Sequence, residues 1–179
     1  GQLQMKENST LHLGGDHRFT DDGSISGLPE ATLEISRGTS TFQSSINADT
    51  LLFQGEFYQG AMRIEEETTV QALRFTDSTG GEITGPGRFR VAEGGQLFEG
   101  QRYATLTIAT NFVHAGKAVA DRHMVNMQGG TFFNQGEYRL KDDGTAFHDT
   151  ENENELRNSG YCARTAGSGT TTVEVPILN

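Results

Sequence analysis

Gly130-Thr131-Phe132-Phe133-Asn134-Gln135-Gly136-Glu137-Tyr138-Arg139-Leu140 carries the pattern that organises the whole chain. Apolar and polar side chains alternate, a glycine interrupts, and alternation resumes: a short strand, a sharp corner, a second short strand. Glycine suits such a corner because it reaches positive φ without steric cost and brings no Cβ. Leu52-Phe53-Gln54-Gly55-Glu56-Phe57, Leu97-Phe98-Glu99-Gly100-Gln101-Arg102-Tyr103 and Leu156-Arg157-Asn158-Ser159-Gly160-Tyr161 repeat the motif, so Gly55, Gly100, Gly136 and Gly160 are expected to be structural corners.

Outward from this stretch, apolar-polar-apolar triplets recur along the chain. They are Leu11-His12-Leu13, Leu33-Glu34-Ile35, Met62-Arg63-Ile64, Phe89-Arg90-Val91, Leu106-Thr107-Ile108, Tyr138-Arg139-Leu140 and Val173-Glu174-Val175. Their spacings of 22, 29, 27, 17, 32 and 35 residues average 27, a period typical of stacked supersecondary units. A β-sandwich is the competing architecture, and it calls for Asn-Gly or Asp-Gly hairpins between longer strands. Only Asp22-Gly23 and Asp143-Gly144 qualify. The expected fold is therefore all-β: a single-domain parallel β-helix over residues 1–179 with about 6–7 irregular coils, with the sandwich as the alternative.

Stacked in register, the triplets place His12, Glu34, Arg63, Arg90, Thr107, Arg139 and Glu174 in one outer column. Arg63 and Arg90 would then be like-charged neighbours, unless an acid such as Glu65 lies between them. Asn134 and Asn158, and in a weaker copy Gln54, stand at corners where side-chain amides of successive coils can bond in a ladder. Helix signals are few: Thr150-Glu151-Asn152-Glu153 fits a capping box and one or two polar turns. Residues 112, 115 and 119 have near-helical spacing that fits strand and loop equally.

Composition narrows the function. With 14 Lys+Arg against 24 Asp+Glu the net charge is −10, which disfavours nucleic acid and anionic membrane surfaces. Cys162 alone forms no intrachain disulfide and no thiolate cage. The absence of Trp argues against an aromatic sugar platform, and Thr107 standing alone among charges argues against an ice-binding array.

Five histidines, at 12, 17, 114, 123 and 148, lack metal-ligand spacing. Asp121-Arg122-His123 holds acid and base groups that alternate across a strand and so cannot all face one substrate. Glu65-Glu66-Glu67 and Asp142-Asp143 read as hydrated turns, with glycosidase or calcium chemistry as the sharper option. Gly167-Ser168-Gly169 lacks the nucleophile-elbow spacing and no glycine pair leads into a phosphate loop. No catalytic residue, cofactor or metal is expected.

The stretch quoted first, together with Leu156-Arg157-Asn158-Ser159-Gly160 and Gly169-Thr170-Thr171-Thr172-Val173-Glu174-Val175, resembles the degenerate repeats of bacterial surface β-helices: autotransporter passengers, filamentous-haemagglutinin-like exoproteins and large adhesins. The likeness is clearest over residues 129–179. It implies a right-handed parallel β-helix, an extracellular or cell-surface location and adhesive or scaffolding work, with no catalytic motif to carry over. A Gly/Thr/Asn/Ser-rich, Lys-poor acidic chain agrees with life outside a cell, and Gly1 is expected to be a processed terminus or a tag remnant. Leu3-Gln4-Met5 and Val173-Glu174-Val175-Pro176 show no polar cap, so the coils are expected to continue into a neighbour, as a filament of identical subunits or as part of a larger surface protein, with a neighbouring copy or a cell-surface or matrix component as the expected partner. The alternatives are a carbohydrate-active β-helix and a β-sandwich pilin-like or binding module.

Overall fold

The computed structural model describes residues 2–20, 24–27, 29–54, 60–76, 80–98, 103–151 and 153–179, and within them the chain is all β, without a helix. Every strand pairing among the described residues is parallel, and the strands stack as a β-solenoid of about 7 turns. The sandwich alternative, which needs antiparallel neighbours, is overturned.

Each turn has three sides. Thr131–Asn134 lies on a first face, Glu137–Leu140 on a second and Gly144–Asp149 on a third. The next turn sets Glu155–Asn158 on the first of these strands, Tyr161–Arg164 on the second and Thr171–Val173 on the third. The register steps vary from 18 residues (Thr32 to Thr50) to 27 (Gly144 to Thr171). The triplet period of 27 is therefore longer than most coils, because the triplets do not all lie on one face. His12 and Glu34 share a column on the second face, Arg63 lies on the third face and Arg90 on the first. The like-charge conflict thus disappears: Arg63 Nε donates to Glu65 Oε1 at 2.8 Å, two residues along its own face.

Inward columns explain why so few apolar residues suffice. On the first face Ile25, Ile46, Thr68, Phe89, Phe112, Phe132 and Leu156 lie over one another. Phe89 and Phe112 stack at 5.2 Å between ring centroids, and Phe112 and Phe132 at 5.1 Å. Leu33, Leu51, Leu73, Leu97 and Ala118 form the second-face column, all buried. Met62, Ile83, Ile108 and Met127 form the third. Phe89, Phe112 and Phe132 meet their equivalents one rung away, and Tyr138 and Phe147 pack edge-on or tilted against Phe132 and each other, so a narrow coil buries large side chains completely.

Two local expectations are corrected. The capping-box segment forms no helix among its described residues, because Asn154 ties it down instead. The Asn154 Oδ1 accepts from the backbone N–H of Gly129 at 2.7 Å and of Gly130 at 3.0 Å, while its Nδ2 donates to the Met127 carbonyl at 3.1 Å. Asp143-Gly144 is a corner into a parallel strand rather than a hairpin. Asp22-Gly23 lies outside the described residues.

The second-face column ends in Tyr138, 1% exposed, under Cys162. Among the described residues the Tyr138 hydroxyl has no hydrogen-bond partner, and burial, with a smaller contribution from the Cys162 thiol, pushes its pKa well above the usual phenol value. An orphaned buried donor costs free energy that a phenylalanine avoids. Tyr138→Phe is therefore expected to raise stability by about 1 kcal/mol, read from the midpoint of denaturant unfolding.

Candidate functional site

At the corner from the first face to the second, Gly95, Gly116, Gly136 and Gly160 follow one another. A Cβ on any of the last three would lie under 3.0 Å from the carbonyl oxygen of the glycine one coil before it. Gly136 and Gly160 thus stand at this corner together with Gly95 and Gly116, and none of these has a positive φ, unlike Gly94 beside them. Gly55 and Gly100 lie outside the described residues. The backbone N–H groups of Gln135 and Gly136 both donate to the His114 carbonyl, at 2.8 and 3.0 Å, and those of Ser159 and Gly160 both donate to the Asn134 carbonyl, at 2.9 and 3.0 Å. Coil is thus pressed on coil by main chain alone.

Inside this corner runs the amide ladder. Asn134 Nδ2 donates to Asn158 Oδ1 at 2.7 Å and to the Tyr161 carbonyl at 3.0 Å, and Asn158 Nδ2 donates to Asn179 Oδ1 at 3.2 Å. One coil earlier the position of Asn134 is taken by His114, fully buried with its Nε2 3.2 Å from the Glu137 carbonyl, the contact that Asn134 makes with the Tyr161 carbonyl. Burial lowers the His114 pKa from 6.5 to about 4, against a smaller opposing effect of that carbonyl, so the ring is neutral at pH 7. Gln54 does not belong to the ladder; it follows Phe53 on the second face.

Two surfaces are candidates for contact with other molecules. The first is the rung containing Tyr161–Arg164, Thr171–Val173 and Ile177–Leu178. Its strands are hydrogen-bonded to the coil on one side only. Ile177 continues the buried Phe132 and Leu156 column yet is 50% exposed, and Tyr161 and Leu178 are 54% and 47% exposed. At the opposite end Gln2–Met5, Thr10–Gly14 and His17–Phe19 are likewise paired on one side, with Leu3 exposed at an inward position.

The second is a cleft of about 490 Å³ at the corner from the second face to the third. Ala120, Leu140 and Ala146 line it with apolar surface, and Arg122, Asp142, Asp143 and Thr145 with polar groups. Arg122 turns the chain with φ 60°. Its guanidinium lies 5.1 Å from the Tyr103 ring centroid, donates to the Tyr103 hydroxyl and stands 3.8 Å from Asp142 Oδ2. Asp143 pairs with Arg164 and accepts the Gly169 backbone N–H at 2.9 Å. Asp121 and His123 are turned to one another, the Asp121 N–H donating to His123 Nδ1 at 3.0 Å, while the His123 ring stacks on Phe98.

The remaining acids and histidines are dispersed. Glu65 pairs with Arg63, and Glu67 stands 3.9 Å from Arg88. His12 pairs with Glu34, and His148 with Glu174. Among the described residues no three His, Cys, Asp or Glu gather where a metal ion would be held. Sequence reasoning missed His114 and Asn154. The signal for His114 was its place two residues before Gly116, as Asn134 stands two before Gly136; Asn154 gave none. Compared with known proteins, the chain matches no family model, no curated protein and no solved structure.

Proposed function

We propose that this chain is an extracellular structural or adhesive β-solenoid subunit whose coils continue at their ends, either into copies of itself stacked end to end or into further coils of a larger surface protein. The observation that carries the reading is the exposure of Ile177 on a column that is buried in every described coil beneath it from Ile25. A parallel edge strand offers unpaired N–H and C=O groups alternately, and another parallel edge satisfies both. The first rung offers such an edge, with Leu3 and Met5 at its inward positions. Docked rung on rung, Ile177 and Leu3 would cover one another, continuing a core already built from identical steps. The acidic, Lys-poor surface and the likeness to bacterial surface repeats support the location.

Negative-stain electron microscopy and sedimentation velocity test the proposal. Purified protein should form rods that lengthen with concentration, and Ile177→Lys combined with Leu178→Lys should leave single short rods. Monodisperse short rods of the unaltered chain at high concentration would overturn its stacking on copies of itself.

A further inference from the structure

The corner cleft has properties that the stacking role does not use. Its two carboxylates do not stand bare: Asp142 faces the Arg122 guanidinium, and Asp143 holds that of Arg164. Two negative charges therefore meet two positive ones, and the neighbouring Asp121 and Lys141 add one of each sign. A site so balanced gives no net attraction to a divalent cation, whose ligands would first have to leave their guanidinium partners, and none to an anionic chain. What remains is hydrogen-bonding capacity. The carboxylate oxygens keep lone pairs free to accept, the Arg122 guanidinium keeps donors beyond those turned to Tyr103 and Asp142, and the Thr145 hydroxyl does either. Beneath these groups Ala120, Leu140 and Ala146 supply an apolar floor.

An apolar floor with a few fixed, charge-balanced donors and acceptors matches a molecule that is itself amphipathic, uncharged and rich in hydroxyls. The opening of about 490 Å³ lies within the ~300–1,000 Å³ of small-ligand clefts. The polar groups are also preorganised. Arg122 is pinned against the Tyr103 ring and hydroxyl, Asp142 Oδ1 accepts the Asp143 N–H at 2.7 Å, and Thr171 Oγ1 donates to the Asp142 carbonyl at 2.5 Å. These contacts reduce the rotamer entropy that Arg122 and Asp142 lose when hydroxyls arrive. From these features we infer that the cleft between Arg122 and Asp142–Asp143 binds a neutral saccharide, with ring C–H groups on the Ala120–Leu140–Ala146 floor and hydroxyls bridging Arg122 and Asp142.

The site lies on the side of the stack and borders the last rung through Thr171 and Arg164. Glycan binding and rod length are read separately, so each reading fails on its own readout. The test uses the full chain on an array of neutral and acidic glycans, followed by titration of the methyl resonances of Ala120, Leu140 and Ala146 with the neutral glycans that bind best and with calcium chloride. Neutral glycans should be retained and shift those methyls with millimolar or tighter affinity. Arg122→Ala and Asp142→Asn should each weaken binding at least tenfold, with the amide spectrum elsewhere and the rod length unchanged. Thr145→Val, which keeps size and β-branching, should weaken it severalfold if either of the other variants misfolds. Retention of acidic glycans in preference to neutral ones, shifts produced by calcium alone, or no methyl shift with any neutral glycan would each overturn the inference.

Discussion

Gly136→Ala is expected to destabilise the protein by about 3 kcal/mol or more, beyond the ordinary range of a surface substitution. The added methyl falls under 3.0 Å from the Gly116 carbonyl oxygen and also close to the backbone of Ala115, both in the coil before. Backbone on each side leaves no flexible side chain to yield, so relief requires the coils to separate. Separation strains the bonds to the His114 carbonyl from Gln135 and Gly136 and that from Glu137 to Gly116. Thermal unfolding measures the effect. At about 2–4 °C per kcal/mol for a chain of this size, the midpoint should drop by roughly 6–12 °C. Gly94→Ala is the control for conformational strain without a clash: Gly94 has φ 75° with nothing within 4 Å of a built Cβ. Its loss should be no more than about 1–2 kcal/mol, the cost of a left-handed residue. Equal losses in the two variants would refute the corner-contact account.

The second large effect is acid sensitivity at His114. In the unfolded chain this imidazole takes up a proton near pH 6.5; in the folded chain, buried, it does so only near pH 4. The unfolded state thus holds more protons across that window, and stability must fall as pH drops through it. Above pH 6.5 the histidine costs nothing by this route, and below pH 4 the full difference of about 3 kcal/mol has been lost. His114→Asn places at this position the side chain that the next two coils already use there. Denaturant unfolding at pH 7 and pH 4 should show the variant losing about 3 kcal/mol less between the two than the parent chain. A parallel decline of the two proteins would mean that the imidazole is not held neutral by burial.

The solenoid was legible in the sequence because its signals are local. Alternation along Thr131–Asn134 follows from side-chain direction, and the parallel stack and the Asn134–Asn158 pair were read from it; the glycines at 136 and 160 are there for the missing Cβ where coil meets coil and not for a positive φ, which neither has. Register was not legible. A three-sided coil shows three near-identical apolar-polar-apolar strands per turn, so Met62-Arg63-Ile64 and Phe89-Arg90-Val91 look like successive copies although they occupy different faces. Counting them as one face lengthened the period and created an Arg63–Arg90 repulsion that Glu65 makes irrelevant. The cleft was only half legible. Asp142-Asp143 and Asp121-Arg122-His123 both drew notice as separate clusters, and nothing in the chain order announces that one coil of about 20 residues brings Arg122 beside Asp142.

The Gly116–Gly136 corner carries one more implication. Lys117 to Ala120 lie beneath Glu137 to Leu140 position for position, and the corner preceding each begins with the same small residue. Residues 117–136 are therefore a removable storey: joining Gly116 directly to Glu137 returns the chain to the same azimuth and the same direction, one floor of about 4.8 Å lower. Height in this molecule is quantised: a chain shortened in this way would lose one whole storey while its two end rungs stay the same.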